Sequence, residues 1–215
     1  KTCLEKELQN VMSSYGNIEL VSPLAEGADR LFVDMTIKVD SQKIKLLTVP
    51  MPFEKEDYKK DFTQTESKLM FERYLNSDIN EQRHQHVIVN AYSLANGKSR
   101  IQTYIKREKT SCTYLALFKK MLFNKNKIAL QERLAKKQSK FDNNQYETTG
   151  REVVHKSDVL FAIWDGKEAN GKGGNADIVA YALEHYRKEA NKGHMKKIIH
   201  INPNTYEIKY FNFEA

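Results

Sequence analysis

Two polar, glycine-containing loops hold the residues best suited to chemistry. The first is Ser22-Pro23-Leu24-Ala25-Glu26-Gly27-Ala28-Asp29-Arg30. The second runs from Trp164 to Asp177 and includes Asp165, Gly166, Gly171, Lys172, Gly173, Gly174 and Asn175. Each leads from an apolar run into a helical pattern. That placement offers free backbone N–H groups and the positive end of a helix dipole to a phosphate. Glycine lets the backbone approach a ligand and adopt positive φ. Lys172 adds charge to the second loop. Neither loop is a GxGxxG fingerprint or a P-loop.

Single residues in these loops admit two readings each. Trp164 either stacks on a base or closes a strand end as core. Asp165 either accepts from ribose hydroxyls or starts a turn. Asp29 and Arg30 either meet a ligand or pair with each other at a helix start, and Glu26 is the better ribose or base contact. His84 and His86 lie two apart with no acidic or thiol partner, so no metal or other resident cofactor is expected. No GxSxG elbow is present.

The elements that must position these loops follow from apolar periodicity. Leu4, Leu8, Val11 and Met12 define a first helix, and Ile18–Val21 a short strand. Leu31, Phe32, Met35 and Val39 make a helical stripe. Ile44–Val49 is a strand stopped by Pro50-Met51-Pro52. Glu54–Leu75 reads as one long helix with Tyr58, Phe62, Leu69 and Tyr74 inward, and Val87–Val89 as a third strand. Helices are expected near 111–123 and 127–138, broken at Asn124-Lys125-Asn126, and a short one over Arg151–Ser157. Asp158–Trp164 is the most apolar strand, followed by a helix over Asn175–Glu189 and a last strand over Lys197–Ile201. Strands alternating with helices predict an α/β fold with a mainly parallel sheet and helices on both faces.

Charge is uneven. The net charge is +7, but residues 91–140 hold 13 Lys or Arg against Glu108 and Glu132, leaving the remainder at −4. Residues 91–145 read as a basic helical insertion in a single domain. Tyr92, Tyr104, Tyr114 and Phe118 there offer stacking surfaces for nucleic acid. A solvated arm, or a contact between copies of the chain, is favoured over that. Lys106, Arg107 or Lys109 closing over a bound phosphate is a third role. Two cysteines, Cys3 and Cys112, form no CxxC pair, which fits a reducing cytoplasm. No apolar run approaches the roughly 20 residues of a membrane span.

The strings SPLAEGADRLF, VPMPFEKEDYKKDF, TESKLMFERYL and SDVLFAIWDGKEANGKGGNADIVAYALEH resemble the SLOG superfamily, in its branch from bacterial anti-phage conflict systems. The resemblance covers residues 18–90 and 146–203. It implies a Rossmann-like nucleotide site. That site would include Ser22, Glu26, Gly27, Ala28, Asp29 and Arg30, and Asp165, Gly166, Gly171, Lys172, Gly173, Gly174 and Asn175. The superfamily includes sensors of cyclic ADP-ribose, ADP-ribose-binding domains and LOG phosphoribohydrolases. In the hydrolases a Gly-Gly-x-Gly-Thr-x-x-Glu motif carries the catalytic glutamate. With Asn175 at the Thr place, that position is Ile178, and Asp177 is one residue off. A Rossmann-like fold normally opens with a strand, so a strand upstream of Lys1 is expected.

The expected function is therefore sensing of a nucleotide second messenger, cyclic or derived from NAD or ADP-ribose. The sensor would control a fused or associated effector in anti-phage defence, with self-association. The alternatives are cleavage of an N-glycosidic bond, with Glu26, Asp165 or Asp177 as acid or base, and nucleic-acid binding through the basic segment.

Overall fold

The computed structural model describes residues 3–76, 87–95, 125–167 and 174–214, with the backbone alone over 125–134. Within them the chain is a mixed α/β structure with two three-stranded sheets. One has the order β1-β2-β3 and the other β4-β5-β6. The strands are β1 (Ile18–Val21), β2 (Ile44–Met51), β3 (Ile88–Ser93), β4 (Val159–Ile163), β5 (Lys196–Ile201) and β6 (Ile208–Phe213). The first sheet is wholly parallel. In the second, β4 and β5 are parallel and β6 returns antiparallel. The described strands thus form two sheets rather than one continuous sheet, and β6 was not foreseen.

Helix α1 (Cys3–Ser13) buries Leu4, Leu8 and Met12, which fall one turn apart. Helix α2 (Ala28–Asp40) packs on two sides. Val33 enters the core of the first sheet. Phe32, Met35 and Val39 meet α1 and the second sheet, where the Phe32 and Phe161 rings lie 5.3 Å apart. Leu31 faces out, 50% exposed, and so leaves the expected stripe.

Strand β2 runs through Pro50 instead of stopping there. The Ser22 N–H donates to Thr48 O, so by alternation the Pro50 nitrogen faces the β1 side beyond Val21, where β1 has ended. No ladder bond is lost, and proline is tolerated.

The expected helix over 54–75 is broken. Helix α3 (Lys55–Tyr58) passes into a 3₁₀ turn (Lys59–Asp61), and α4 (Thr65–Leu75) starts afresh. Phe62 and Gln64 are extended between them. The Glu26 carboxylate accepts from both Thr63 N–H (3.0 Å) and Thr63 Oγ1 (3.2 Å), which holds this break open. Tyr58, Phe62 and Phe71 form an edge-on aromatic cluster with centroids 5.0 to 5.6 Å apart. Tyr74 is buried as expected, whereas Leu69 is exposed.

Helix α5 (Lys125–Lys156) is a single helix of 32 residues. It begins within the expected break at Asn124-Lys125-Asn126 and runs without interruption through Gly150 into the expected short helix over Arg151–Ser157. Phe141 and Tyr146 pack on Phe53, at 6.1 and 5.7 Å between centroids, so the helix joins the core before residue 145. Gly150 sits inside this helix because Ile178 of α6 (Asn175–Ala190) crosses it. A Cβ there would lie 2.5 Å from Ile178 Cδ1. Among the described residues no helix is long and apolar enough to cross a membrane.

Candidate functional site

A slot of about 440 Å³ runs between β1 and β4, lined along the full length of both strands. Its carboxyl end receives the two loops singled out from the sequence. Ser22, Ala28 and Asp29 line it from one side and Asn175 from the other.

Gly27 caps α2 and Gly174 caps α6, and among the described residues neither helix start has a side-chain cap. The first intrahelical bonds are Leu31 N–H to Gly27 O and Ile178 N–H to Gly174 O. The amides of Ala28 and Asp29, and of Asn175 and Ala176, therefore lack an intrahelical acceptor. Gly27 has φ 93°, a conformation that requires glycine. Ser22 is buried, and its Oγ accepts from Leu24 N–H (3.2 Å), holding the loop in a tight turn. Leu24 itself has φ 58° and is fully buried, which fixes the loop to the core.

Asp29 Oδ2 accepts from Ala25 N–H at 3.2 Å. Burial pushes its carboxyl up to about 6, against smaller opposing effects of that bond and of Arg30. Tyr58 also lines the slot. Its hydroxyl is buried without a hydrogen-bond partner, and burial pushes its pKa far above the usual phenol value, so it stays a neutral donor. Sequence spacing marked Tyr58 only as core. Nothing in the sequence signals an orphaned hydroxyl.

Other expected site residues lie elsewhere. Arg30 is buried, 6% exposed, and does not line the slot. Its Nε donates to Leu24 O (2.9 Å) and its Nη1 to Ser67 O (2.9 Å) and Oγ (2.6 Å). Its guanidinium carbon lies 4.4 Å from the Phe62 ring centroid. Glu26 is exposed and tied to Thr63. A hydrogen bond with Ser67 holds its carboxyl below the ordinary range. Arg30 and Glu26 thus join the first loop to α4 through Ser67. Trp164 packs against the second core, and its Nε1 donates to Lys167 O (2.9 Å). Asp165 accepts from Lys167 N–H (3.2 Å) and pairs with Lys167 Nζ (3.0 Å), which lowers its pKa. Gly166 turns this loop at φ 83°. Asp177 lies in the first turn of α6. Gly171, Lys172 and Gly173 lie outside the described residues, as do His84, His86, Tyr104, Lys106, Arg107, Lys109, Cys112, Tyr114 and Phe118. Tyr92 donates to Glu152 Oε1 (2.8 Å), so its ring is held against α5.

Among the described residues no group of three or more His, Cys, Asp and Glu is placed to hold a metal ion. A separate pair of imidazoles, which form no recognisable motif in the sequence, joins α5 to α6. The His155 and His185 rings are 4.6 Å apart, with Tyr181 OH 2.5 Å from His155 Nε2. Burial, then His155, lowers the His185 pKa.

No protein-family model, curated protein or solved structure matches the chain.

Proposed function

We propose that this chain is a nucleotide-sensing domain of the SLOG type, with the ligand's phosphate or ribose at the carboxyl ends of β1 and β4. One observation carries the proposal: two helix N-termini, without side-chain caps among the described residues, converge on one end of one slot, beside an unpartnered buried tyrosine hydroxyl. Amides at two helix starts favour an anion more than either does alone. The neutral Tyr58 hydroxyl adds a donor.

Strand order supports the Rossmann-like reading. From the slot, β1-β2-β3 runs one way and β4-β5-β6 the other. The chain leaves β1 for α2, which packs with α1, and leaves β4 for α6, which packs with α5. A reversal of this kind is where open α/β sheets bind ligands.

Sensing is preferred to N-glycosidic hydrolysis because of Ile178. The position that the resemblance gives to a hydrolase glutamate holds an apolar side chain packed against Gly150. A ligand touching both loops ties the two sheets together. It acts as a signal to the extent that it binds one arrangement of them more tightly than another. The effector, self-association and the setting in anti-phage defence rest on the resemblance alone.

The test is a thermal-shift panel of linear, cyclic and ADP-ribose-type nucleotides, each recovered and checked by chromatography. A strong shift with the ligand intact supports sensing. Converted ligand makes the protein an enzyme, and no shift with any of them removes the proposal.

A further inference from the structure

The face where α5 meets α6 carries a cluster of side chains that the slot does not use. His155 stands one turn beyond Arg151 on α5, and His185 one turn beyond Tyr181 on α6. The His155 and His185 ring centroids lie 4.6 Å apart at 45°, a tilt that excludes face-to-face stacking. The Tyr181 hydroxyl is 2.5 Å from His155 Nε2, and the Tyr181 ring lies 5.7 Å from His185 and within 9° of parallel. Two imidazoles and a phenol from two helices thus gather in one place. His155 is exposed, and His185 and Tyr181 are half-buried, so the cluster is open to solvent on one side. None of the three lines the slot.

The two helices are pinned on both sides of this cluster. Before it, Ile178 of α6 crosses α5 at Gly150, where a Cβ would lie 2.5 Å from Ile178 Cδ1. After it, the buried Tyr186 hydroxyl lies 3.2 Å from Val154 O and 3.0 Å from Ser157 O. Val154 and Tyr186 are the sequence neighbours of His155 and His185, so buried contacts fix where both imidazoles start. Side chains placed on packed helices in this way are held more precisely than side chains on loops.

The separation of the rings matches a shared metal ion. With a metal–nitrogen bond of about 2.0–2.1 Å and a ring nitrogen about 1.1 Å from its centroid, the metal sits about 3.2 Å from each centroid. Two imidazoles bound at right angles then lie about 4.5 Å apart, and two at the tetrahedral angle about 5.2 Å. The observed 4.6 Å falls at the first value. Right angles between nitrogen and oxygen donors are the geometry of copper(II) and nickel(II), and copper(II) is the more tightly held. The phenol supplies a third donor beyond the His, Cys, Asp and Glu types. Burial, and then His155, hold the His185 pKa below the usual imidazole value, which leaves this ring a neutral ligand at neutral pH. The cations around the cluster are each paired with a carboxylate: Arg151 with Glu147, Lys156 with Glu152, Lys192 with Glu189 and Lys196 with Asp158. Their repulsion of a metal ion is offset to that extent.

We infer that His155, His185 and Tyr181 form a site for one late first-row divalent metal ion, copper(II) foremost, that ties α5 to α6. Binding releases one proton: the metal takes the His155 Nε2 lone pair and the Tyr181 phenolate oxygen, and the proton shared between those two atoms leaves to solvent. The inference does not rest on nucleotide binding, since the cluster lies outside the slot.

The test titrates the full chain, first stripped of metal with a chelator, with copper(II) alone. Calorimetry, electron paramagnetic resonance and visible absorption follow the titration. One equivalent is expected to bind, with hyperfine structure from two nitrogens, a phenolate-to-copper absorption band and a rise of several degrees in melting temperature. His155→Gln and His185→Gln should each weaken binding by at least about tenfold, and Tyr181→Phe should remove the visible band. None of the three side chains is fully buried, so the variants are expected to keep the fold, which circular dichroism checks. Absence of a one-equivalent site overturns the inference, as does binding only at millimolar metal without saturation. A site that survives both histidine substitutions but is lost in a His84→Gln, His86→Gln double variant also overturns it, because copper would then sit on other imidazoles. A visible band that persists in Tyr181→Phe overturns the proposed ligand set.

Discussion

Replacing Arg30 by Met separates an internal role from a ligand-binding one. The guanidinium makes three hydrogen bonds, to Leu24 O, Ser67 O and Ser67 Oγ, and stacks on Phe62. Hydrogen bonds to a charged group contribute about 1.5–3 kcal/mol each, and the cation–π contact about 0.5–2 kcal/mol. Two effects oppose this. Met retains apolar packing against Phe62 and Phe71, and the substitution removes a buried charge whose Nη2 has no partner. Desolvation of a buried ion costs several kcal/mol, so the net loss is about 2–4 kcal/mol. The assay is equilibrium urea unfolding. With a slope of about 2 kcal/mol per molar, the midpoint should fall by roughly 1–2 M. Arg30→Lys should fall in between, because it keeps the charge and loses the fork. A midpoint within about 0.3 M of the parent, well inside that slope's reach, would refute the internal role.

Three further outcomes are expected. Burial pushes the Asp29 carboxyl up to about 6 from its ordinary 3.8, so the folded protein binds more protons between those values. Stability should therefore fall as pH rises from about 4 to 6, by up to about 3 kcal/mol, and Asp29→Asn should flatten that slope; a slope equal to the parent's would assign it to other groups. Gly150→Ala should destabilise by about 1 kcal/mol, since overpacking against Ile178 outweighs the gain in helix propensity, and should become neutral or stabilising in an Ile178→Ala background. Additive effects in that double-mutant cycle would contradict the crossing. The buried Tyr186 hydroxyl lies 3.2 Å from Val154 O and 3.0 Å from Ser157 O, so Tyr186→Phe should cost about 1–2 kcal/mol in chemical denaturation.

Much of the frame was legible because it rests on short-range patterns. The apolar runs of β1, β2, β4 and β5 and the spacing in α1 and α6 each carry their own signal. The helix break at Phe62–Gln64 does not, because its cause is a carboxylate 37 residues away. Gly150 reads as a helix start, since glycine is usually punctuation. Its place within α5 makes sense only once Ile178 lies against it. Strand β6 follows Pro203, which reads as an end, and its exposed Lys209 and Tyr210 blur the alternation. In the candidate site, Ser22, Ala28, Asp29 and Asn175 reach the slot as the loop pattern suggests. Arg30 and Glu26 have the same kind of signature, a charge in a glycine-containing loop, but hold the loop to α4. The unpartnered Tyr58 hydroxyl is visible only in three dimensions.

The most direct test of nucleotide sensing is amide chemical-shift mapping during titration with ADP-ribose and with a cyclic ADP-ribose. The account predicts saturable shifts concentrated at Ser22, Ala28, Asp29 and Asn175, with the ligand unchanged at the end. Shifts confined to residues 96–124, or none at millimolar ligand, would contradict it.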